Sequence, residues 1–403
     1  MTLLKNIKYL PRILLMKNNV ILNQNEFRIL AILQFWLLCS PSIAVQFLHT
    51  DSIGYIPLFL SFAFILHLLK KKECRKIISN PIICWWSVLM IYHMIHNYII
   101  GIPDENHWRI AFLKETILIY FIALMYIYDT SKTIWSILIS YIFTLIIAYL
   151  HPSNESDRFS SVILYITQLG QLCGLACLMI SILFHLNYKA KWILLLYIFP
   201  IVIMLLTQSR NGMLMVAFAY FSLFISKINL KNFPKILIMI FLIYLAYDTF
   251  EESKFFQRFV ETGDNEIMYA TNTFLDDIFG ERVIYYVLGY MNFQDHPIFG
   301  IGLLNFSNYN NFEYPIHAEF WTHVVEGGII GGVLFICFYY YMFKQLFKGI
   351  KHSDTLQRQH LINLLAFVAL GFTARIFHIP MFFPIYGLIL GFIIKRKKYE
   401  NSI

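Results

Sequence analysis

The chain contains 403 residues, of which 58% are hydrophobic, 18% aromatic and only 14% charged. A soluble globular chain carries about 25% charged residues, so this composition excludes a water-soluble globular protein. It also excludes disordered, fibrous and disulfide-scaffold proteins, and the six cysteines give no thiolate metal site. The composition indicates a protein that crosses a membrane many times.

Apolar stretches of about the length that crosses a bilayer recur along the whole chain. They lie near 28–48, 53–69, 81–100, 109–127, 134–151, 160–185, 191–207, 212–226, 233–249, 321–343, 360–376 and 379–394. We therefore expect an all-α polytopic membrane protein with about 12 transmembrane helices. The expected organisation is about nine helices in 1–249, one long, partly helical external loop in 250–320 and about three helices with a tail in 321–403. Pro380 and Pro384 can break the last pair of spans.

The basic residues predict the orientation of these spans. Of the 32 lysines and arginines, 23 lie in alternate connecting segments, such as KKKECRK at 70–76 and KRKK at 395–398. By the positive-inside rule these segments and both termini are cytoplasmic. The net charge of +8 is then a topology signal, and we expect no nucleic-acid partner. The acidic 250–320 segment lies outside, and its Phe, Tyr, Asn and Gly content predicts a folded loop.

Four cations on the predicted external side depart from this pattern: Arg158, Arg210, Arg282 and His317. Arg210 lies in the turn TQSRNG, where an arginine is costly unless it faces a polar cavity or a partner. The alternatives are an Arg210 that reaches lipid phosphates, an ion pair of Arg282 with nearby acids, and an interfacial His317. Together, guanidinium groups that bind phosphates and a histidine that removes a proton suit group transfer from a phosphorylated lipid to an alcohol.

Other polar residues receive structural interpretations. The segment HPIFGIGLLNF at 296–306 predicts a turn that returns the chain to the membrane. We expect His323 at the interface, and Glu326 either as a cap of its own helix or as a charge that interacts favourably with the helix dipole. Lys114 and Glu115 form an expected interfacial pair in which Lys114 extends outward, unless Glu115 lines a donor cavity. No Asp-x-Asp motif, histidine cluster or nucleotide loop implies a metal, a cofactor or a nucleotide-sugar donor.

Several motifs occur in a characteristic order. They are DRFSSVILYITQLGQLCG at 157–174, TQSRNG at 207–212, GERVIYY at 280–286, PIFGIGLLNF at 297–306 and the H-x-E…E-G-G-I-I-G run from 317. In this order the chain resembles the O-antigen ligase and polymerase superfamily of bacterial inner-membrane glycosyltransferases. The resemblance implies catalysis at the periplasmic face, without a metal or cofactor and with inversion of the anomeric centre.

The resemblance also implies partners and residue roles. The donor would be a glycan on undecaprenyl diphosphate, and the acceptor lipid A–core or a second lipid-linked repeat unit, all within membrane lipid. Arg210 and Arg282 would bind the diphosphate, His317 would activate the acceptor hydroxyl, and Glu319 would bind substrate beside it. Ala318 stands where the family usually has asparagine. Arg158 resembles an external arginine that precedes the sixth span and would also contact substrate.

Three activities remain open within this resemblance. Ligases transfer a finished glycan, polymerases extend a chain by repeat units, and protein O-glycosyltransferases form a third branch. The ITQLGQL run at 166–172 and the single long loop favour a ligase. A transporter of the same lipid-linked glycan is the non-enzymatic alternative, although no internal repeat is evident and the distinctive charges lie outside.

Overall fold

The structure is a computed structural model, and we describe a defined set of its residues. They are 22–43, 55–102, 108–153, 159–161, 164, 166–186, 191–207, 209–224, 282–310, 316, 319–352, 355–373 and 380–400. The predicted span at 233–249 and most of the predicted loop at 250–320 lie outside these residues. The predictions for Arg158 and His317 fall outside them as well.

The described chain is almost entirely helical, as the composition predicts. The helices are α1 (Gln24–Ile43), α2 (Tyr55–Leu68), α3 (Lys72–Ile78), α4 (Pro81–Ile99), α5 (Trp108–Tyr128), α6 (Thr130–Leu150), α7 (Ile166–Leu186), α8 (Ile198–Thr207), α9 (Arg210–Phe224), α10 (Arg282–Asp295), α11 (Phe306–Asn310), α12 (Glu319–His352), α13 (Thr355–Thr373) and α14 (Phe383–Glu400). Short 3₁₀ turns, Lys191–Tyr197 and Pro380–Phe382, precede α8 and α14. Strands β1 (Pro152–Ser153) and β2 (Ser160–Ser161) form one small antiparallel pair.

Four of the described helices are long and apolar enough to cross a membrane. They are Pro81–Ile99, Thr130–Leu150, Gln168–Leu186 and Glu319–Ile350. Shorter apolar helical stretches at Tyr55–Leu68 and Lys191–Thr207 lie among them. These helices indicate a membrane protein, while the total of twelve crossings and their orientation remain predictions.

Local sequence determines where two of the long helices begin. The Asn80 side chain accepts the N–H of Ile82 at 3.1 Å, and Pro81 occupies the first helical position, where its missing N–H costs nothing. Asp129 caps α6 by accepting the N–H of Lys132 at 3.0 Å. Because these polar caps satisfy the first N–H groups, each apolar helix starts at a defined residue.

Helix α5 is the centre of the bundle, because its side chains from Ile117 to Tyr126 are all buried. Glycines allow α14 to lie directly against it. A Cβ at Gly387 would stand 2.6 Å from Cβ of Ile122, and one at Gly391 would stand 2.8 Å from Cβ of Tyr126. Such small residues permit close helix approach where hydrophobic burial alone does not drive association.

Polar contacts at one end of the bundle join residues that are far apart in the sequence. The ammonium of Lys71 lies 2.6 Å from the carboxylate of Glu26, and Lys395 donates to Thr130 at 3.1 Å. Burial alone would raise the pKa of Glu26, but the bonds from Lys71 and from the N–H of Asn23 hold that pKa below its usual 4.5. The Lys71 and Lys395 contacts adjoin, because the rings of Phe27 and Tyr128 stack with their centroids 5.1 Å apart.

Candidate functional site

Three of the predicted site residues open helices. Arg210 is the first residue of α9, Arg282 the first of α10 and Glu319 the first of α12. The side chains of the two arginines lie outside the described part of the structure, so whether they meet at one phosphate remains a prediction. Helix N-termini present unpaired N–H groups and the positive end of the helix dipole, and both favour an anion.

The Arg210 turn is held at backbone distance from α7. Ser209 caps α9, because its Oγ accepts the N–H of Gly212 at 3.3 Å. A Cβ at Gly212 would stand 2.6 Å from the carbonyl oxygen of Gly170, and a Cβ at Gly174 would collide with Met215. Helices α7 and α9 therefore run side by side, and the TQSRNG turn is rigidly joined to the 166–172 segment with which the resemblance associates it.

The helix that begins at Arg282 packs on the start of α12. A Cβ at Gly289 would stand 2.6 Å from Nε1 of Trp321 and 3.1 Å from Val325. The Phe293 and Trp321 rings also lie 6.5 Å apart. Helix α10 is thus fixed against the first turns of the helix that carries Glu319.

The predicted turn at 296–306 is present, and it fits into a break in α12. The break is at Gly328, whose φ of 63° and ψ of −166° leave the helical region. Beyond it, Ile329 donates its N–H to the Pro297 carbonyl at 2.8 Å, and before it the Glu326 carbonyl accepts the N–H of Gly302 at 2.9 Å. The turn therefore supplies hydrogen bonds that the interrupted helix cannot make for itself.

The Glu326 side chain anchors this turn. Its carboxylate accepts the N–H of Leu304 at 2.8 Å and that of Phe306 at 3.2 Å. Leu304 has a φ of 62°, which side-chain-bearing residues rarely adopt, so the bond holds it in a costly conformation. The prediction that Glu326 caps its own helix is wrong, because the carboxylate binds the N–H groups of a separate segment.

Helix α4 holds the same turn from the other side. Asn97 donates to the carbonyl of Leu303 at 3.0 Å and accepts its N–H at 2.8 Å. The Tyr92 hydroxyl donates to the Gly327 carbonyl, with 2.6 Å between the oxygens. These residues were missed in the sequence, although polar residues spaced three and four apart in IYHMIHN at 91–97 share one face of an apolar span.

Glu319 points into the protein rather than outward. Its side chain is buried, and one oxygen lies 3.4 Å from Nε2 of His323. Nδ1 of His323 in turn lies 2.9 Å from Nε2 of His93 on α4. The expected interfacial position of His323 is wrong, because the ring is fully buried. Glu115 on α5 is fully buried too.

Within the residues that the structure describes, no group of three or more His, Cys, Asp or Glu side chains is placed to hold a metal ion. The polar features of the described residues are instead the first residues of α9 and α10, the 296–306 turn held by Glu326, and the buried contacts that join His93, His323 and Glu319.

The long apolar helices indicate a helical membrane protein. In it, the break in α12 is hydrogen-bonded to the 296–306 turn. Residues 193–336 match the family model described as O-antigen ligase, a stretch that contains Arg210, Arg282 and His317. The match confirms, over this stretch, the resemblance to the O-antigen ligase and polymerase superfamily. No curated protein matches the chain.

Proposed function

We propose that the protein is an O-antigen ligase-type glycosyltransferase. It transfers a glycan from undecaprenyl diphosphate to a hydroxyl of lipid A–core at the periplasmic face of the bacterial inner membrane. The observation that carries the proposal is the family match at 193–336, which contains both arginines and His317 in the expected order. Arg210 begins a helix that Ser209 caps, so the backbone dipole of α9 adds to its charge at the expected phosphate position.

In the proposed reaction, Arg210 and Arg282 bind the donor diphosphate while its lipid tail lies between helices. His317 accepts the proton of the acceptor hydroxyl, and the oxygen attacks the anomeric carbon from the face opposite the leaving group. The new C–O bond forms as the bond from that carbon to the diphosphate oxygen breaks. The electron pair leaves with undecaprenyl diphosphate, whose developing charge the arginines stabilise. Arg158 completes the proposed substrate site, and Glu319, two residues from His317 in the sequence, supports that site from inside the bundle, where its side chain is buried.

The arginine roles predict a specific pattern of substitutions. Arg210→Ala or Arg282→Ala should lower the transfer rate by about a hundredfold or more, as expected when one preorganised electrostatic donor is lost. Lysine should not restore the rate fully, because an ammonium lacks the two-pronged geometry of guanidinium. Arg75→Ala, an exposed cation at the other end of the bundle, is the matched control and should keep its activity. Equal activity in all these variants would contradict the assignment.

The activity itself is tested by a lipopolysaccharide gel of a deletion strain complemented with wild type, His317→Ala or the control His67→Ala. Core without glycan, together with accumulated lipid-linked polymer, is the ligase result. Core capped by one repeat unit would identify a polymerase instead, and an unchanged pattern would favour transport or protein glycosylation. Full complementation by His317→Ala would remove this histidine as the base.

The absence of a metal requirement and the stereochemistry are tested on purified protein. We expect transfer to continue in excess EDTA and the product linkage, determined by NMR, to have the opposite anomeric configuration to the donor. Loss of activity in EDTA that is restored by a divalent cation would contradict the first expectation, and a retained configuration the second.

A further inference from the structure

We propose that His93 and His323 are a buried positioning pair that orients Glu319 for the transfer reaction. The inference rests on the proposed function, because it assigns two further residues to the same site. Neither histidine has to contact substrate. Their role is to fix a carboxylate at the first residue of the helix that follows His317.

The pair joins two helices through one line of contacts. His93 lies in the middle of α4, and its Nε2 is 2.9 Å from Nδ1 of His323 on α12. His323 lies one helical turn after Glu319 on the same face, with Nε2 3.4 Å from Oε1 of the carboxylate. Both rings are fully buried. The order of atoms is therefore His93, His323, Glu319, with no solvent-exposed member.

Glycines in α12 make room for this arrangement. A Cβ at Gly327 would stand 2.7 Å from Cε1 of His93, and one at Gly331 would stand 3.4 Å from the same atom. A larger residue at position 327 would push the His93 ring away from α12. The spacing of these glycines thus fits the His93 ring, and their place in the E-G-G-I-I-G run gains a physical reason.

The contacts allow two protonation patterns. Each neutral imidazole carries one proton, and a single N–H must lie between His93 Nε2 and His323 Nδ1. If His93 donates it, the proton of His323 is on Nε2 and faces the Glu319 carboxylate. The opposite choice would direct a lone pair of His323 at the carboxylate. The 3.4 Å between His323 Nε2 and Glu319 Oε1 is an ion-pair distance without hydrogen-bond geometry, and the first pattern is the one that places a proton between the two groups.

The Glu319 carboxyl is buried, so its orientation depends on the polar groups around it. The His323 ring, with Nε2 3.4 Å from Oε1, limits the positions that this carboxyl can occupy. The orienting partner of a catalytic triad acts on its neighbour in the same way.

Glu319 in turn affects the proposed base. It is the first residue of α12, and His317 precedes it by two positions in the sequence. In the proposed role, holding the Glu319 side chain inside the bundle fixes the rotation of this first turn, to which the proposed base is joined. Loss of the histidine pair should therefore lower the rate of the chemical step more than the affinity for donor.

Two amide substitutions of His93 test the proposal on purified full-length protein with a lipid-linked glycan donor and its acceptor. In His93→Gln the side-chain amide can occupy the place of Nε2, whereas in His93→Asn it is one bond too short. We expect His93→Asn to lower kcat by roughly ten- to a hundredfold, as for loss of an orienting partner, with little change in KM. His93→Gln should retain most of the activity.

A double substitution shows whether His93 acts through Glu319. If His93 acts only through Glu319, adding His93→Asn to Glu319→Gln should cause little further loss of kcat. His185→Asn is the control, because His185 is also buried but contacts the Ser222 carbonyl on a different helix pair. It should keep its kcat even where it lowers thermal stability.

Equal activity of His93→Gln and His93→Asn, or additive losses in the double variant, would overturn the positioning role. Failure of the proposed function gives a different result, because the wild-type protein would then show no transfer with this donor and acceptor, and wrong residue roles would leave Arg210→Ala and His317→Ala fully active. If those two variants are inactive while both His93 variants match wild type, the transfer site stands and only the histidine inference falls.

Discussion

Removing the Glu326 carboxylate should release the 296–306 turn. In Glu326→Ala the N–H groups of Leu304 and Phe306 lose their acceptor, each at 2.8–3.2 Å in the wild type. A hydrogen bond to a charged group is worth about 1.5–3 kcal/mol, so the local loss is about 3–6 kcal/mol. Leu304, with its φ of 62°, also loses the contact that compensates for its unfavourable conformation.

Hydrogen–deuterium exchange of the protein in lipid nanodiscs measures this loss. Because each 1.4 kcal/mol is a factor of ten, 3 kcal/mol should speed exchange of the 301–306 amides by about a hundredfold. We use the lower end because Asn97 still binds Leu303. In Glu326→Gln, which keeps one side-chain oxygen, the exchange rate of these amides should lie between those of the wild type and Glu326→Ala. In Glu73→Ala, which removes an exposed ion-pair residue, the exchange rate should change little. Wild-type exchange of these amides in Glu326→Ala would refute the anchoring role.

Three further perturbations test other parts of the structure. Gly212→Ala would bring a methyl group within 2.6 Å of the α7 backbone, so we expect about 1–3 kcal/mol lower stability and slower transfer; wild-type melting and rate would contradict this. The pKa of Glu26 is lowered in the folded state from its usual 4.5, so the stability that its charge contributes is complete above that pH and is lost as the pH falls through the lowered pKa. Glu26→Gln should lack this acid-dependent loss of stability. Identical melting profiles of the variant and the wild type against pH would contradict the prediction. With Cys84 replaced by serine, a cysteine at Gln294 should react with an impermeant maleimide in spheroplasts and one at Arg75 only after lysis; the opposite labelling would reverse the orientation.

Much of the helical framework was predictable because membrane helices are strongly marked in sequence. Each predicted span within the described residues coincides with a helix or, at 191–207, with a 3₁₀ turn followed by one. The motifs also indicated the family, because their order along the chain can be recognised from the sequence without knowing which residues are in contact. The helix start at Arg210 followed less directly, although a Ser-Arg-Asn-Gly turn with a capping serine is a recognisable start.

The interior of the site was not predictable in the same way. Sequence periodicity shows which residues share a face but not which helix that face meets, so His323 was assigned to the interface when its partner is His93, 230 positions away. Glu326 was misassigned for a related reason. A carboxylate near a helix start usually serves its own helix, and only the break at Gly328 lets a distant turn reach it.

The contacts explain why four glycines stand so close together after Glu326. Gly327 and Gly331 lie against His93, Gly328 takes the conformation that breaks the helix, and a Cβ at Gly332 would press on Val324 at 2.8 Å. One short run of α12 therefore binds the 296–306 turn on one side and makes room for the buried His93 ring on the other. Because the turn follows the helix of Arg282 and the histidine pair contacts Glu319, the geometry at both ends of the proposed site depends on the same turn of helix. A change there should disturb phosphate binding and proton transfer together, whereas changes at His93 should affect only the second.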